Sequence, residues 1–230
     1  MMETIAENIR NIEERISRAC QRAGRAPQEI TLIAVSKTFP PEVVAQAYEA
    51  GLRIFGENKP QELRDKSRVL PEDIEWHFIG HLQTNKIKYV VPTARLIHSV
   101  DSLHLAQALN AYCEKHGHVA SVLLEVNTSG EASKFGFAPS ETEQAFAQIV
   151  SLPALRIYGL MTIGPLTDDK EKIREAFKTL RLLNGRLREK WGAERTAILS
   201  MGMSGDFEIA IEEGSTHIRV GTAIFGQRGR

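Results

Sequence analysis

The stretch ITLIAVSK, from Ile30 to Lys37, decides the fold class. Leu32, Ile33, Ala34 and Val35 follow one another without the alternation of a half-buried strand, so the run reads as a strand buried on both faces. Such strands belong to parallel sheets covered by helices. The flanks agree. Upstream, Ile5, Ile9, Ile12 and Ile16 fall at spacings of four, three and four, which predicts an amphipathic helix over about residues 2–23 that Gly24 and Pro27 stop. Downstream, Pro40 and Pro41 open a helix and Gly51 closes it.

The alternation continues to the C-terminus. Further strands are predicted at RIFGE (53–57), EWHFIG (75–80), RLIHSV (95–100), HVASVLLEVN (118–127), LRIYGLMTI (155–163), TAILSMG (196–202) and THIRVG (216–221). Helices are expected from Pro60 to Val69, from about Gln83 to Tyr89, and along a face carrying Leu105, Leu109, Tyr112 and His116. Others run from Pro139 and Ser140 to near Leu152, from Asp168 to Trp191, and from Phe207 to Glu213, with a last short one in TAIF (222–225). The loop TSGEASKFGF (128–137) is polar. Eight β-then-α units after one extra helix argue for a closed (β/α)8 barrel, a TIM barrel. The extra helix takes about 24 of the 230 residues and leaves roughly 26 per unit, a tight barrel forming one domain over residues 1–230. A doubly wound open sheet is the alternative, but its glycine fingerprint is missing.

Composition excludes several classes. With 29 basic and 29 acidic residues the formal charge is zero, which gives no electrostatic footprint for nucleic acid. No apolar stretch approaches the roughly 20 residues of a membrane span. The mixed-charge N-terminus is no signal peptide. Cys20 and Cys113 lie too far apart in sequence for a disulfide framework or zinc cluster and read as free thiols in a reducing compartment. A soluble, cytoplasmic monomer is expected.

In a (β/α)8 barrel the active site lies at the C-terminal strand ends. Lys37 closes the first apolar run. A lysine at a dry rim loses hydration, which lowers its pKa and frees the amine for carbonyl attack. From position alone, a lysine snorkelling to solvent is the simpler reading. Ser200, Gly202, Ser204 and Gly205 follow strand seven, and Gly221 and Thr222 follow strand eight. Those two loops are the recurrent phosphate site of such barrels, though the same residues serve as turns and caps. Arg219 alternates with Ile218 and Val220, so it faces the barrel interior if they face the helices. There it meets either a ligand ring nitrogen or a carboxylate such as Glu125 or Glu57. His77 and His81, four apart on one predicted strand, share a face but lack a third metal ligand. Glu57 and Asp101 read as rim carboxylates.

Several runs together resemble the pyridoxal-phosphate homeostasis proteins of the YggS type. These are AVSKTFP, FGENKPQE, WHFIGHLQTNK, HSVDS, EVNTSGEASKFGF, YGLMTIGP and LSMGMSGDFEIAIEEGSTHIRVGTAIFGQR, in order from about Thr31 to Arg228. Lys59-Pro60 departs from the family, where many members carry an aromatic and an aliphatic residue. The resemblance implies an alanine racemase-like barrel that binds pyridoxal 5′-phosphate. It implies Lys37 as the lysine forming an aldimine with the cofactor and Arg219 facing the pyridine nitrogen. Ser200 or Ser204, with Gly221 and Thr222, match the phosphate binders, and Asn58 and His81 match pocket residues. The implied role is vitamin B6 and amino-acid homeostasis with little or no turnover, and apo-enzymes that use the cofactor are candidate partners. The alternatives are a racemase using the same cofactor and, third, a cofactor-free Schiff-base aldolase.

Overall fold

The structure, a computed structural model, describes residues 4–131 and 134–226. The first residues of the expected N-terminal helix, Ala132 and Ser133 of the polar loop, and Arg228 lie outside the described residues.

Eight parallel strands close into a barrel in sequence order: β1 (Thr31–Val35), β2 (Ile54–Glu57), β3 (Glu75–Phe78), β4 (Leu96–Val100), β5 (Ala120–Glu125), β6 (Leu155–Met161), β7 (Ile198–Ser200) and β8 (His217–Val220). Helices α1 (Ile5–Ala23), α2 (Pro41–Glu49), α3 (Pro60–Ser67), α4 (Ile87–Val90), α5 (Leu103–His116), α6 (Thr142–Ile149), α7 (Lys170–Trp191), α8 (Phe207–Glu212) and α9 (Thr222–Phe225) complete the units. The expected barrel and extra helix are both present. The helix expected over Gln83–Tyr89 is instead a 3-10 turn at Thr84–Lys86 leading into the single turn α4.

Local chemistry sets the boundaries. Thr4 and Glu7 form a capping box at the start of α1, and Gly24 ends it in the left-handed conformation. The Asp169 carboxylate caps α7 by accepting from the Glu171 and Lys172 N–H groups. Pro60, one of the two departing residues, occupies the first turn of α3, where a missing N–H costs nothing.

The main core lies between the barrel and the helices. Ala34, Phe55, Trp76, Phe78, Ile97, Val122, Ile157, Leu199, Ile218 and Val220 all point outward into it. The residues that alternate with them face the interior, where Leu96, Leu123 and Met161 make a smaller cluster. The β4–β5 and β5–β6 pairings each contain a register shift. The shift in β6 falls at Tyr158 and Gly159, so Leu160 points outward and Met161 inward, against simple alternation. A Cβ on Gly159 would lie 1.9 Å from the Ile198 carbonyl oxygen, so only glycine fits there.

Helix α1 packs against α8 and α9, the helices that follow the last two loops. The Asn8 side chain donates to the Ile224 carbonyl at 2.8 Å, and Arg15 pairs with Glu208 at 3.0 Å. The N-terminal helix thereby braces the loops that the sequence marks for phosphate.

Candidate functional site

A cavity of about 260 Å³ opens at the C-terminal ends of β1, β2, β7 and β8. Six of the eight residues that the family resemblance assigns to the site line it: Lys37, Asn58, Ser204, Arg219, Gly221 and Thr222. Ser200 and His81 do not. Ser200 is fully buried in the barrel interior, hydrogen-bonded to His98 and Arg219. His81 stands exposed at the rim, where its Nδ1 lies 2.9 Å from Asp101 Oδ2 and its ring stacks on Phe135. The expectation that His77 and His81 share a strand face fails, because β3 ends at Phe78 and only His77 points into the barrel.

Lys37 and Asn58 are held from behind. Lys37 is half-buried, immediately past β1. Thr38, next to it, has a φ of 71°, a strained value for a β-branched residue. Its N–H donates to Glu62 Oε2 at 2.7 Å, which holds the chain in that turn. Glu57 is no rim carboxylate but is completely buried. Its Oε1 accepts from the Ser36 hydroxyl at 2.6 Å and from Lys66 Nζ at 2.7 Å. Lys66 also donates to the Ser36 carbonyl at 2.8 Å, so one ammonium ties α3 to the ends of β1 and β2. Sequence reasoning missed Lys66; the available signal was its place three residues after Leu63, on the buried side of α3. Gly80 packs against Asn58, where a Cβ would lie 2.2 Å from the Asn58 carbonyl oxygen. The buried Asn58 Oδ1 accepts from no described residue.

The last two loops converge on one hydroxyl. Ser204 Oγ accepts from the N–H groups of Gly221 and Ala223, each at 3.3 Å. Two backbone donors thus gather on the Ser204 hydroxyl, and Ser204, Gly205, Gly221 and Thr222 all line the cavity. Gly221 also lies close against the end of β1, where a Cβ would press on the Val35 carbonyl oxygen at 3.2 Å.

Arg219 also lines the cavity and is buried. It forms no salt bridge to Glu125 or Glu57. Its guanidinium donates to Ser200 Oγ at 2.6 Å and to the Thr162 carbonyl at 2.8 Å. Burial brings its pKa down to about 10, against the pull of Asp206 and Glu125, so it remains charged at neutral pH.

Burial, with the negative charge of Asp101, pushes the Glu125 carboxyl up to about 7. A raised carboxyl favours folding in its protonated form. That contribution is complete below the ordinary value of 4.5 and is lost as the pH rises to about 7. Glu125→Gln keeps the neutral shape without this loss. Its stability relative to the parent chain therefore rises by about 3 kcal/mol between pH ~4.5 and ~8. Urea titrations at both pH values check this, and a constant gap would mean that Glu125 ionises normally.

A sequence model of the alanine racemase N-terminal domain matches residues 4–229, so the barrel and its rim define a protein of that class. The chain is 44% identical over 223 residues to the pyridoxal phosphate homeostasis protein of Aquifex aeolicus, covering 96% of this chain and 97% of that one. A crystal structure of an unknown protein from Bifidobacterium adolescentis superposes with a TM-score of 0.92 at 38% identity, covering 96% of this chain and 94% of that one. The structure of PipY from Synechococcus elongatus with PLP bound superposes with a TM-score of 0.79 at 35% identity, covering 92% of this chain and all of the other. The chain belongs to the pyridoxal phosphate homeostasis protein family.

Proposed function

We propose that this chain binds pyridoxal 5′-phosphate in the cavity at the C-terminal strand ends, attached at Lys37, and holds it as a carrier with little or no turnover. The observation that carries the reading is the make-up of the cavity. Among the described residues, Lys37 and Arg219 are the only ionisable side chains lining it, and hydroxyls and backbone N–H groups cluster where a phosphate would sit.

The residues present fit the group. The cavity lies just under the ~300–1,000 Å³ range of small-molecule pockets, which suits one compact ligand. Ser204, Gly221, Thr222 and the Ala223 N–H would hold the phosphate. The buried Asn58 Oδ1, which accepts from no described residue, would take a polar contact in the wall. Ser200 would act through Arg219 and His81 from the rim, neither touching the cofactor.

Pyridoxal phosphate supplies an aldehyde for an amine and a ring that draws electrons from a bonded amino acid. Lys37 provides the amine. Arg219 only donates hydrogen bonds and stays charged, so it takes no proton from the ring nitrogen and repels one there. That limits the electron-drawing power of the ring. A racemase also needs a second acid–base group opposite the lysine, and the described lining residues offer none. An intracellular site of action suits the two buried free thiols, Cys20 and Cys113. Apo-enzymes that need the cofactor would be the recipients.

Deuterium exchange at Cα of alanine in heavy water, with the cofactor-loaded protein, tests the carrier reading. Little or no exchange is expected, together with faster cofactor transfer to an apo-enzyme than free release allows. Exchange at ordinary enzymatic rates would overturn it in favour of the racemase.

A further inference from the structure

A continuous file of polar side chains crosses the barrel interior from Glu75, at the start of β3, to Arg219 on the cavity wall. His77 Nε2 lies 3.0 Å from Glu75 Oε1, and His77 Nδ1 lies 2.9 Å from His98 Nε2. His98 Nδ1 lies 2.9 Å from Ser200 Oγ, which also accepts from Arg219 at 2.6 Å. The interior of such barrels is usually packed with branched aliphatic side chains. Here His77, His98, Ser200 and Arg219 are all buried, where a polar file is costly unless every member is satisfied.

The donor and acceptor rules fix every proton in the file. A guanidinium donates only, so Ser200 Oγ accepts from Arg219 and has its own hydrogen to give. The recipient is His98 Nδ1, which must be bare. Burial holds the His98 imidazole well below its ordinary pKa, so it carries a single proton, at Nε2. That proton is donated to His77 Nδ1. His77 then carries its proton at Nε2 and donates to Glu75. A carboxylate accepts only, and this hydrogen bond holds Glu75 below its ordinary value. The chemistry of the two ends therefore agrees with one direction through all four bonds.

We infer that Glu75, His77, His98 and Ser200 form one directed relay that positions Arg219, so that a carboxylate on the N-terminal face of the barrel orients and supports the guanidinium lining the cavity on the opposite face. All four are positioning residues. No member can turn over without breaking a bond to a neighbour, and the aligned bonds favour positive charge at the Arg219 end. The consequence for a bound cofactor rests on the pyridoxal phosphate reading; the relay itself does not.

Two measurements separate these. In the unloaded protein, long-range nitrogen–proton NMR of labelled histidines is expected to show His77 and His98 both protonated at Nε2 at neutral pH. In Glu75→Leu, His77 is expected to lose this preference. A proton on Nδ1 of either histidine in the parent chain would overturn the relay. In the loaded protein, Ser200→Ala and Glu75→Leu are each expected to move the visible absorption of the cofactor. Ser200→Ala should weaken its retention about tenfold, the size of one lost charged hydrogen bond. A purely structural role for these residues would leave the spectrum in place, and an unmoved spectrum in both variants overturns the positioning of Arg219. If the parent chain takes up no cofactor, the function reading fails while the NMR result still decides the relay.

Discussion

Replacing Lys37 by alanine is expected to abolish the visible absorption that the parent chain acquires on incubation with pyridoxal phosphate. Among the described residues, Lys37 is the only lysine lining the cavity, which it shares with Asn58, Arg219, Ser204, Gly221 and Thr222. Without its amine, the polar donors alone remain to hold the ligand. Hydrogen bonds to a charged group contribute about 1.5–3 kcal/mol each, so weak phosphate-directed binding should survive, but with no covalent link. Absorbance before and after gel filtration distinguishes the two: the parent chain stays coloured, and the variant elutes colourless. A variant that kept the band would place the attachment on another amine and remove Lys37 from the site.

Lys66→Met is expected to destabilise the fold by about 3–5 kcal/mol, the usual cost of leaving one partner of a buried ion pair uncompensated. Lys66 and Glu57 are almost wholly buried and lie 2.7 Å apart. Desolvation already pushes the Glu57 carboxyl up, and the nearby ammonium is the main opposing influence. Glu57 Oε2 accepts from no described residue, so only the neutral Ser36 hydroxyl on Oε1 still supports the carboxylate when the cation goes. Equilibrium unfolding in urea measures the loss. Adding Glu57→Leu should recover most of it, because two apolar groups of similar size remove the stranded charge. A single variant within about 1 kcal/mol of the parent would mean that the pair is far better hydrated than its burial indicates. The substitution should also weaken cofactor loading, since Lys66 ties together the strand ends carrying Lys37 and Asn58.

These two lysines differ in how legible they are. Lys37 ends an apolar strand in a run whose residue types match a known family, so its importance is visible along the chain. Lys66 looks like any helical surface lysine. It is half of a Glu62–Lys66 pair at the i,i+4 spacing that normally decorates a solvated face. Only the approach of α3 to the end of β2 turns it inward. Glu57 is hard to place from sequence for the same reason: as the last residue of β2 it belongs at the rim, but its side chain is buried against Lys66 of α3. The relay behind Arg219 joins β3, β4, β7 and β8, and no local pattern links residues 75, 77, 98, 200 and 219.

The sequence by itself determined the barrel, its strand order and the ends where chemistry belongs. Buried parallel strands are continuous apolar runs, and glycine, proline and capping residues punctuate them, so the signal is local. Six of the eight residues it assigned to the site do line the cavity. Only the tertiary structure decided which serine reaches the cavity, that His81 stays at the rim, and that Arg219 answers to Ser200 and Thr162 without a salt bridge. The physical reason is geometric. Side-chain direction along a strand follows a period of two only until a bulge shifts it, and partners across the barrel interior are set by strand stagger, which leaves no trace in neighbouring residues.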